Sequence, residues 1–111
     1  MPTVITSELA QLEVIEGLRI QEVNDEVPYT FTTTKWMSGP TSATVVATDE
    51  ADDSTVTTTV FPTNSPTPTG DVIALSLMKD LTANHTYRVK ICFTDGTTIL
   101  NGFFRVLGVE I

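Results

Sequence analysis

Leu81-Thr82-Ala83-Asn84-His85-Thr86-Tyr87-Arg88-Val89-Lys90-Ile91-Cys92-Phe93-Thr94-Asp95-Gly96-Thr97-Thr98-Ile99-Leu100-Asn101-Gly102-Phe103-Phe104-Arg105-Val106 reads as two long strands joined by a tight turn. Thr94-Asp95-Gly96-Thr97 supplies the turn, because Asp-Gly tolerates the positive φ that a two-residue type I′ turn demands. With Asp95 and Gly96 at its tip, Thr94 faces Thr97, Ile91 faces Leu100 and Tyr87 faces Phe104. Tyr87, Val89, Ile91 and Phe93 then share one face with Leu100, Gly102, Phe104 and Val106. That face is apolar throughout and belongs to the core. Arg88, Lys90 and Cys92 share the other face with Ile99, Asn101, Phe103 and Arg105. The parities of the two strands agree across the turn, which supports the register independently. A slip of one residue would turn Phe103 inward.

Working outward, Leu81 to Tyr87 places a Leu, a short turn and then a Tyr entering a strand. This resembles the tyrosine corner of immunoglobulin-like and fibronectin-like sandwiches, in which the Tyr hydroxyl bonds back to backbone in the preceding turn. Val72–Met78 is a continuous apolar run and reads as a central strand. Pro62, Pro66 and Pro68 within 62–70 remove ladder donors, so that segment reads as an extended surface crossover. Ser54–Phe61, with Val56, Thr58 and Val60 alternating, reads as a strand. Asp49-Glu50-Ala51-Asp52-Asp53 is an acidic turn after a strand over Thr41–Thr48. Tyr29–Trp36 is another strand, ended by Ser38-Gly39-Pro40. In the leader, Leu18 and Ile20 alternate with Arg19 and Gln21, which is strand spacing over Leu18–Val23. Before it lies either a short helix, capped by Ser7 over Leu9, Leu12 and Ile15, or an extended arm. The expected fold is all-β: an immunoglobulin-like β-sandwich of about seven antiparallel strands. Residues 1–27 form an acidic arm or first strand, and 28–111 form the sandwich domain.

Composition agrees. The chain has 111 residues, enough for one domain with its own core. Thr makes up about a fifth of it, a residue suited to pleated, half-buried strands. The net charge is −8. Nucleic-acid binding needs a basic face, so no nucleic-acid partner is expected, and no anionic membrane surface either. Residues 1–53 carry the whole acidic excess, while 54–111 balance. No apolar run approaches the ~20 residues of a membrane span, and the N-terminal residues lack the pattern of a secretory signal. The chain reads as a soluble product of the cytosol.

Little in the sequence points to catalysis. A single Cys92 excludes an internal disulfide and any zinc site built on paired thiolates. His85 reads as a surface turn histidine and Cys92 as a small half-buried hydrophobe on the outer face. Asp49, Glu50, Asp52 and Asp53 could offer oxygens to Ca²⁺ but lack the spacing of an EF-hand loop, and read as a solvated turn. No enzyme activity, cofactor or metal site is expected. The most informative residue is Phe103, an outward aromatic with Ile99 nearby and Arg88 and Arg105 flanking it, an arrangement typical of contact patches. Either the leader of the same chain covers it, or a neighbouring subunit or partner does.

From Glu22 to Val109 the chain resembles the small immunoglobulin-like proteins encoded in the structural gene modules of tailed bacteriophages. Asn24-Asp25-Glu26-Val27-Pro28-Tyr29 and Thr41-Ser42-Ala43-Thr44-Val45-Val46 carry the resemblance. Val60-Phe61-Pro62-Thr63 with Gly70-Asp71-Val72-Ile73, and Leu81–Val89 with Thr94-Asp95-Gly96-Thr97, complete it. Asn84 stands where Gly is commoner and still permits a positive φ. The acidic leader has no counterpart. The resemblance implies a virion structural protein: a head decoration, or a head–tail or tail accessory component, made in the host cytoplasm.

On that reading the expected partners are capsid or tail proteins and further copies of the chain. Contact runs through a patch of Phe103, Arg105, Arg88 and Ile99, or through Leu18 and Ile20 of the leader. Trimers or larger rings are among the assemblies that would bury it, and strand addition by the leader is one route. The competing expectation is a carbohydrate-binding or adhesive sandwich, which needs solvent-facing aromatics in a row. Trp36, Tyr29 and Phe31 are available, although strand parity sets Trp36 opposite the other two.

Overall fold

Alternating apolar residues build two sheets. The computed structural model describes residues 18–110 together with Leu12–Glu13. In chain order the elements are β1 (Leu12–Glu13), β2 (Arg19–Glu22), β3 (Val27–Thr32), β4 (Ser42–Asp49), β5 (Ser54–Thr55), the helical turn α1 (Thr57–Val60), β6 (Thr67–Thr69), β7 (Val72–Met78), β8 (Thr86–Thr94) and β9 (Ile99–Val109). The larger sheet runs β5-β4-β8-β9, with β1 and β2 both against the far edge of β9. The smaller runs β3-β7-β6, so Val72–Met78 is central as expected. Two sheets, with β9 between β1 and β8 in one and β7 between β3 and β6 in the other, pack face to face as an all-β sandwich.

Among the described residues the seven strands β3 to β9 pair antiparallel, as expected, and the leader adds two parallel ones. β1 and β2 run parallel to β9, with Leu12 beside Gly102, Glu13 beside Phe103 and Ile20 beside Leu107. The described part of the leader therefore adds two strands to the larger sheet, one of them at the strand expected around Leu18–Val23. A helix over Leu12 does not form, and its other expected members, Ser7, Leu9 and Ile15, lie outside the described residues.

The deciding hairpin keeps its faces but not its register. Tyr87 pairs with Val106, Val89 with Phe104, Ile91 with Gly102 and Thr94 with Ile99. The connection is a loop over 95–98 in place of a two-residue turn. Its side chains explain the choice: Asp95 Oδ1 accepts the N–H groups of Thr97 and Thr98, each at 2.9 Å, and Thr94 Oγ1 accepts that of Gly96 at 3.0 Å. Gly96 takes φ 99°. The offset from the expected pairing is two residues. Two is the side-chain period, so every residue stays on its expected face.

Three further segments depart from expectation. Ser54–Phe61 is strand only at β5. Thr57 Oγ1 then accepts the Ala47 N–H at 2.9 Å, taking the place of a ladder partner, and α1 follows. The helical turn lets the consecutive residues Val60 and Phe61 both enter the core, which a strand forbids. Pro68 does sit in a strand, because β6 is an edge and can spare an N–H. The strand expected to reach Trp36 stops at Thr32, where Thr33 begins a turn and accepts the N–H groups of both Trp36 and Met37.

The core lies between the sheets. Phe31 of β3 meets Phe93 of β8 with ring centroids 5.8 Å apart, and Tyr29 meets Phe104 at 5.3 Å. Phe31, Ile73, Val89, Ile91, Phe93 and Val106 have no solvent exposure. The tyrosine corner is present: Thr82 N–H donates to Tyr87 Oη at 2.7 Å, and Asn84 holds φ 69°. Among the described residues no helix is long and apolar enough to cross a membrane.

Candidate functional site: the outer face of the larger sheet

Each strand of the larger sheet sends alternate residues outward, and the registers lay them in rows. Ile99, Thr94 and Ser42 form the first row, then Asn101, Cys92 and Thr44, then Phe103, Lys90 and Val46. Arg105, Arg88 and Thr48 follow, and Leu107 beside Thr86 is joined by Ile20 from β2. Phe103 thus points away from the core and is half-buried, as the sequence predicts. Ile99 and Ile20 are each about two-thirds exposed, and Leu18 and Val46 are also exposed. These are large apolar side chains without cover among the described residues, on a face with polar neighbours, which is how contact surfaces are built.

Cations occupy the middle of the face. Glu50, at the turn after β4, is shared by two arginines. Arg105 Nη2 donates to Oε1 at 2.9 Å, and Arg105 Nε and Arg88 Nε donate to Oε2 at 3.3 and 3.2 Å. The hydrogen bond from Arg105 holds the Glu50 carboxyl below its ordinary pKa; burial opposes it, and the hydrogen bond from Arg88 and the positive charges of both arginines act with it. The Arg88 guanidinium lies 5.8 Å from the Phe103 ring centroid, within cation–π range. Lys90, exposed between Phe103 and Val46, has no ion-pair partner among the described residues.

All the expected contact residues except Leu18 take strand positions whose parity or register sets them on this face. Leu18 is exposed just ahead of β2. The expected cover by the leader takes a different form in the described residues: β1 extends the sheet beside Gly102 and Phe103 rather than crossing it. Sequence reading set Lys90 on this face without naming it as a contact residue, and it missed Val46 and Leu107. Lys90 and Leu107 follow from the same alternation as Phe103. Val46 required the β4–β8 register.

The acidic turn and the histidine differ from expectation. Asp49 is buried, with Oδ2 at 2.7 Å from His85 Nδ1 and Oδ1 accepting the Ala51 N–H at 3.0 Å. It is not a solvated carboxylate, and His85 is half-buried against it rather than a plain surface side chain. The pairing arises because Glu50 N–H bonds to the Thr86 carbonyl, docking the β4 turn on the start of β8. Among the described residues no group of three or more His, Cys, Asp or Glu could hold a metal ion.

The aromatics of the adhesive expectation are packed inward. Phe31 is in the core, and Trp36 stacks on it at 5.6 Å, on the same side rather than the opposite one. The turn beginning at Thr33 resets the parity. Tyr29 donates its hydroxyl hydrogen to Gln21 Oε1 at 3.0 Å. No row of solvent-facing aromatics exists among the described residues. Comparison with protein-family models, curated proteins and solved structures finds no match to the chain.

Proposed function

We propose that the chain is a non-enzymatic virion structural protein, a capsid decoration or accessory module that docks on a capsid or tail lattice through the outer face of its larger sheet. The exposed apolar rows around Phe103, with Ile20, Leu107, Val46 and Ile99, carry this reading. A small sandwich gains little by leaving such side chains in water, and burying them against a partner supplies the non-directional part of an affinity. Arg88, Lys90 and Arg105 would add register and orientation. The Glu22–Val109 resemblance to virion proteins of tailed phages directs the choice of partner.

Particles purified from the encoding source test the proposal. The chain should be found by mass spectrometry in repeated, stoichiometric copies per particle. Phe103→Asp should fold, by circular dichroism, yet disappear from the particles. Finding the chain only in the particle-free fraction would sink the proposal.

A further inference from the structure

The topology sorts the charges of this acidic chain. Glu22 ends β2, and Asp25 and Glu26 follow it. Asp49 ends β4, and Glu50, Asp52 and Asp53 follow it. Asp80 follows β7, and Glu110 follows β9. The registers bring those strand ends together: Val27 pairs with Met78, Glu22 with Val109 and Asp49 with Tyr87. One end of the sandwich therefore holds every carboxylate of residues 18–110 except Asp71 and Asp95. Asp25, Asp52, Asp53, Asp80 and Glu110 are exposed there. The outer face of β8 and β9 holds three of the chain's six cations, Arg88, Lys90 and Arg105. Glu50 is shared between the two arginines, and Lys90, flanked by Phe103 and Val46, has no ion-pair partner among the described residues.

We infer that the occupant of this face is the acidic end of a second copy of the chain. The inference rests on reading the face as a docking surface, and it names what docks there. A face-to-face two-fold contact would set Arg88, Lys90 and Arg105 against their own copies, and like charges oppose it. An end-to-face contact instead brings the carboxylates around Asp25, Asp53 and Glu110 onto Lys90 while the apolar rows lose water. Such a contact is heterologous: each copy offers its end to one neighbour and its face to another, which generates a ring or an open array. Strands spaced about 4.8 Å apart and rows about 6.7 Å apart give the face roughly 500 Å². A standard stable interface uses about 800 Å² per partner. The contact is weak between free chains and becomes effective when a lattice holds the copies side by side.

Sedimentation equilibrium of the full chain between about 10 µM and about 1 mM tests this. At about 0.05 M salt the weight-average mass should rise with concentration, and at about 0.5 M it should return toward that of one chain, because the shorter Debye length screens the pairing. Lys90→Glu should abolish the rise. So should the combination Asp25→Lys, Asp53→Asn, Glu110→Lys, in which Asn keeps the φ of 59° at position 53. Mixing the two variants should restore association, since the Lys90→Glu chain keeps an intact acidic end and the other variant keeps an intact basic face. A chain that stays monomeric throughout, or one whose association neither variant disturbs, overturns the inference. Particle incorporation by such a chain would leave the lattice proposal standing, so the two failures are distinguishable.

Discussion

Gly108 lies so close to Thr82 that a Cβ on it would sit 2.6 Å from the Thr82 carbonyl oxygen. The approach is fixed from both sides. Gly108 N–H donates to the His85 carbonyl at 2.9 Å, and Asn84 N–H donates to the Gly108 carbonyl at 2.8 Å. The end of β9 is thereby sewn onto the turn that precedes β8. Gly108→Ala must push backbone rather than a flexible side chain, because the Leu81 Cβ closes the other side at 3.1 Å. A cost of about 1–3 kcal/mol is expected. It should appear in urea titrations as a lower midpoint with an unchanged slope.

Tyr87 fills the same corner from within the core. Its hydroxyl accepts the Thr82 N–H at 2.7 Å while its ring is buried. Tyr87→Phe keeps the ring and leaves that N–H without its partner. Stability should fall by about 1–3 kcal/mol, with the far-ultraviolet circular dichroism unchanged. An unaltered midpoint would show that water replaces the hydroxyl at no cost.

Gln21 ties the leader strand to both sheets. It is buried, its Nε2 donates to the Met78 carbonyl at 2.8 Å and to the Asp25 carbonyl at 2.9 Å, and its Oε1 accepts from Tyr29. Gln21→Leu removes all three bonds and leaves carbonyls and a hydroxyl to find water. A loss of about 1–3 kcal/mol is expected. Local opening should be concentrated in β2, so hydrogen exchange at Ile20–Val23 should accelerate far more than in β8. Uniform acceleration would mean that β2 opens only when the whole sandwich does.

Parity was the legible part of this sequence. Tyr87, Val89, Ile91 and Phe93 alternate without interruption, so their face is fixed even though the loop at Asp95–Thr98 shifts the pairing by two. Asn84 and Tyr87 announced the corner because positive φ and a buried hydroxyl are local demands. The misread parts depend on distant partners. Val56, Thr58 and Val60 alternate as well as any strand, and only the capture of Ala47 N–H by Thr57 explains the helical turn. Pro68 is acceptable because β6 has a free edge, a property of the sheet and not of the residue. Nothing about Gln21 in an acidic leader signals burial, and the gathering of acids at one end emerges only when strand ends are placed together. The docking face was half legible: Phe103 followed from alternation in one hairpin and Ile20 from alternation in the leader, whereas Val46 joined it only through the register of β4.

Glu50 should leave a signature in the pH dependence of stability. Its carboxyl is held below the ordinary value, chiefly by the hydrogen bond from Arg105, with the charges of Arg105 and Arg88 acting in the same direction. In the unfolded chain a glutamate titrates near about 4.3. Above that value both states are ionised and the stabilisation is fully present. As pH falls further, the unfolded state takes up the proton first, and stability drains away until the folded carboxyl also protonates. Wild type should therefore lose more stability than Glu50→Gln between about pH 5 and about pH 2. Added salt should narrow the difference, since both arginines are partly solvated and their attraction is screened. Chemical denaturation of both proteins across that range is the measurement. Parallel profiles would mean that the two arginines stabilise the ionised Glu50 no better in the fold than water does in the open chain.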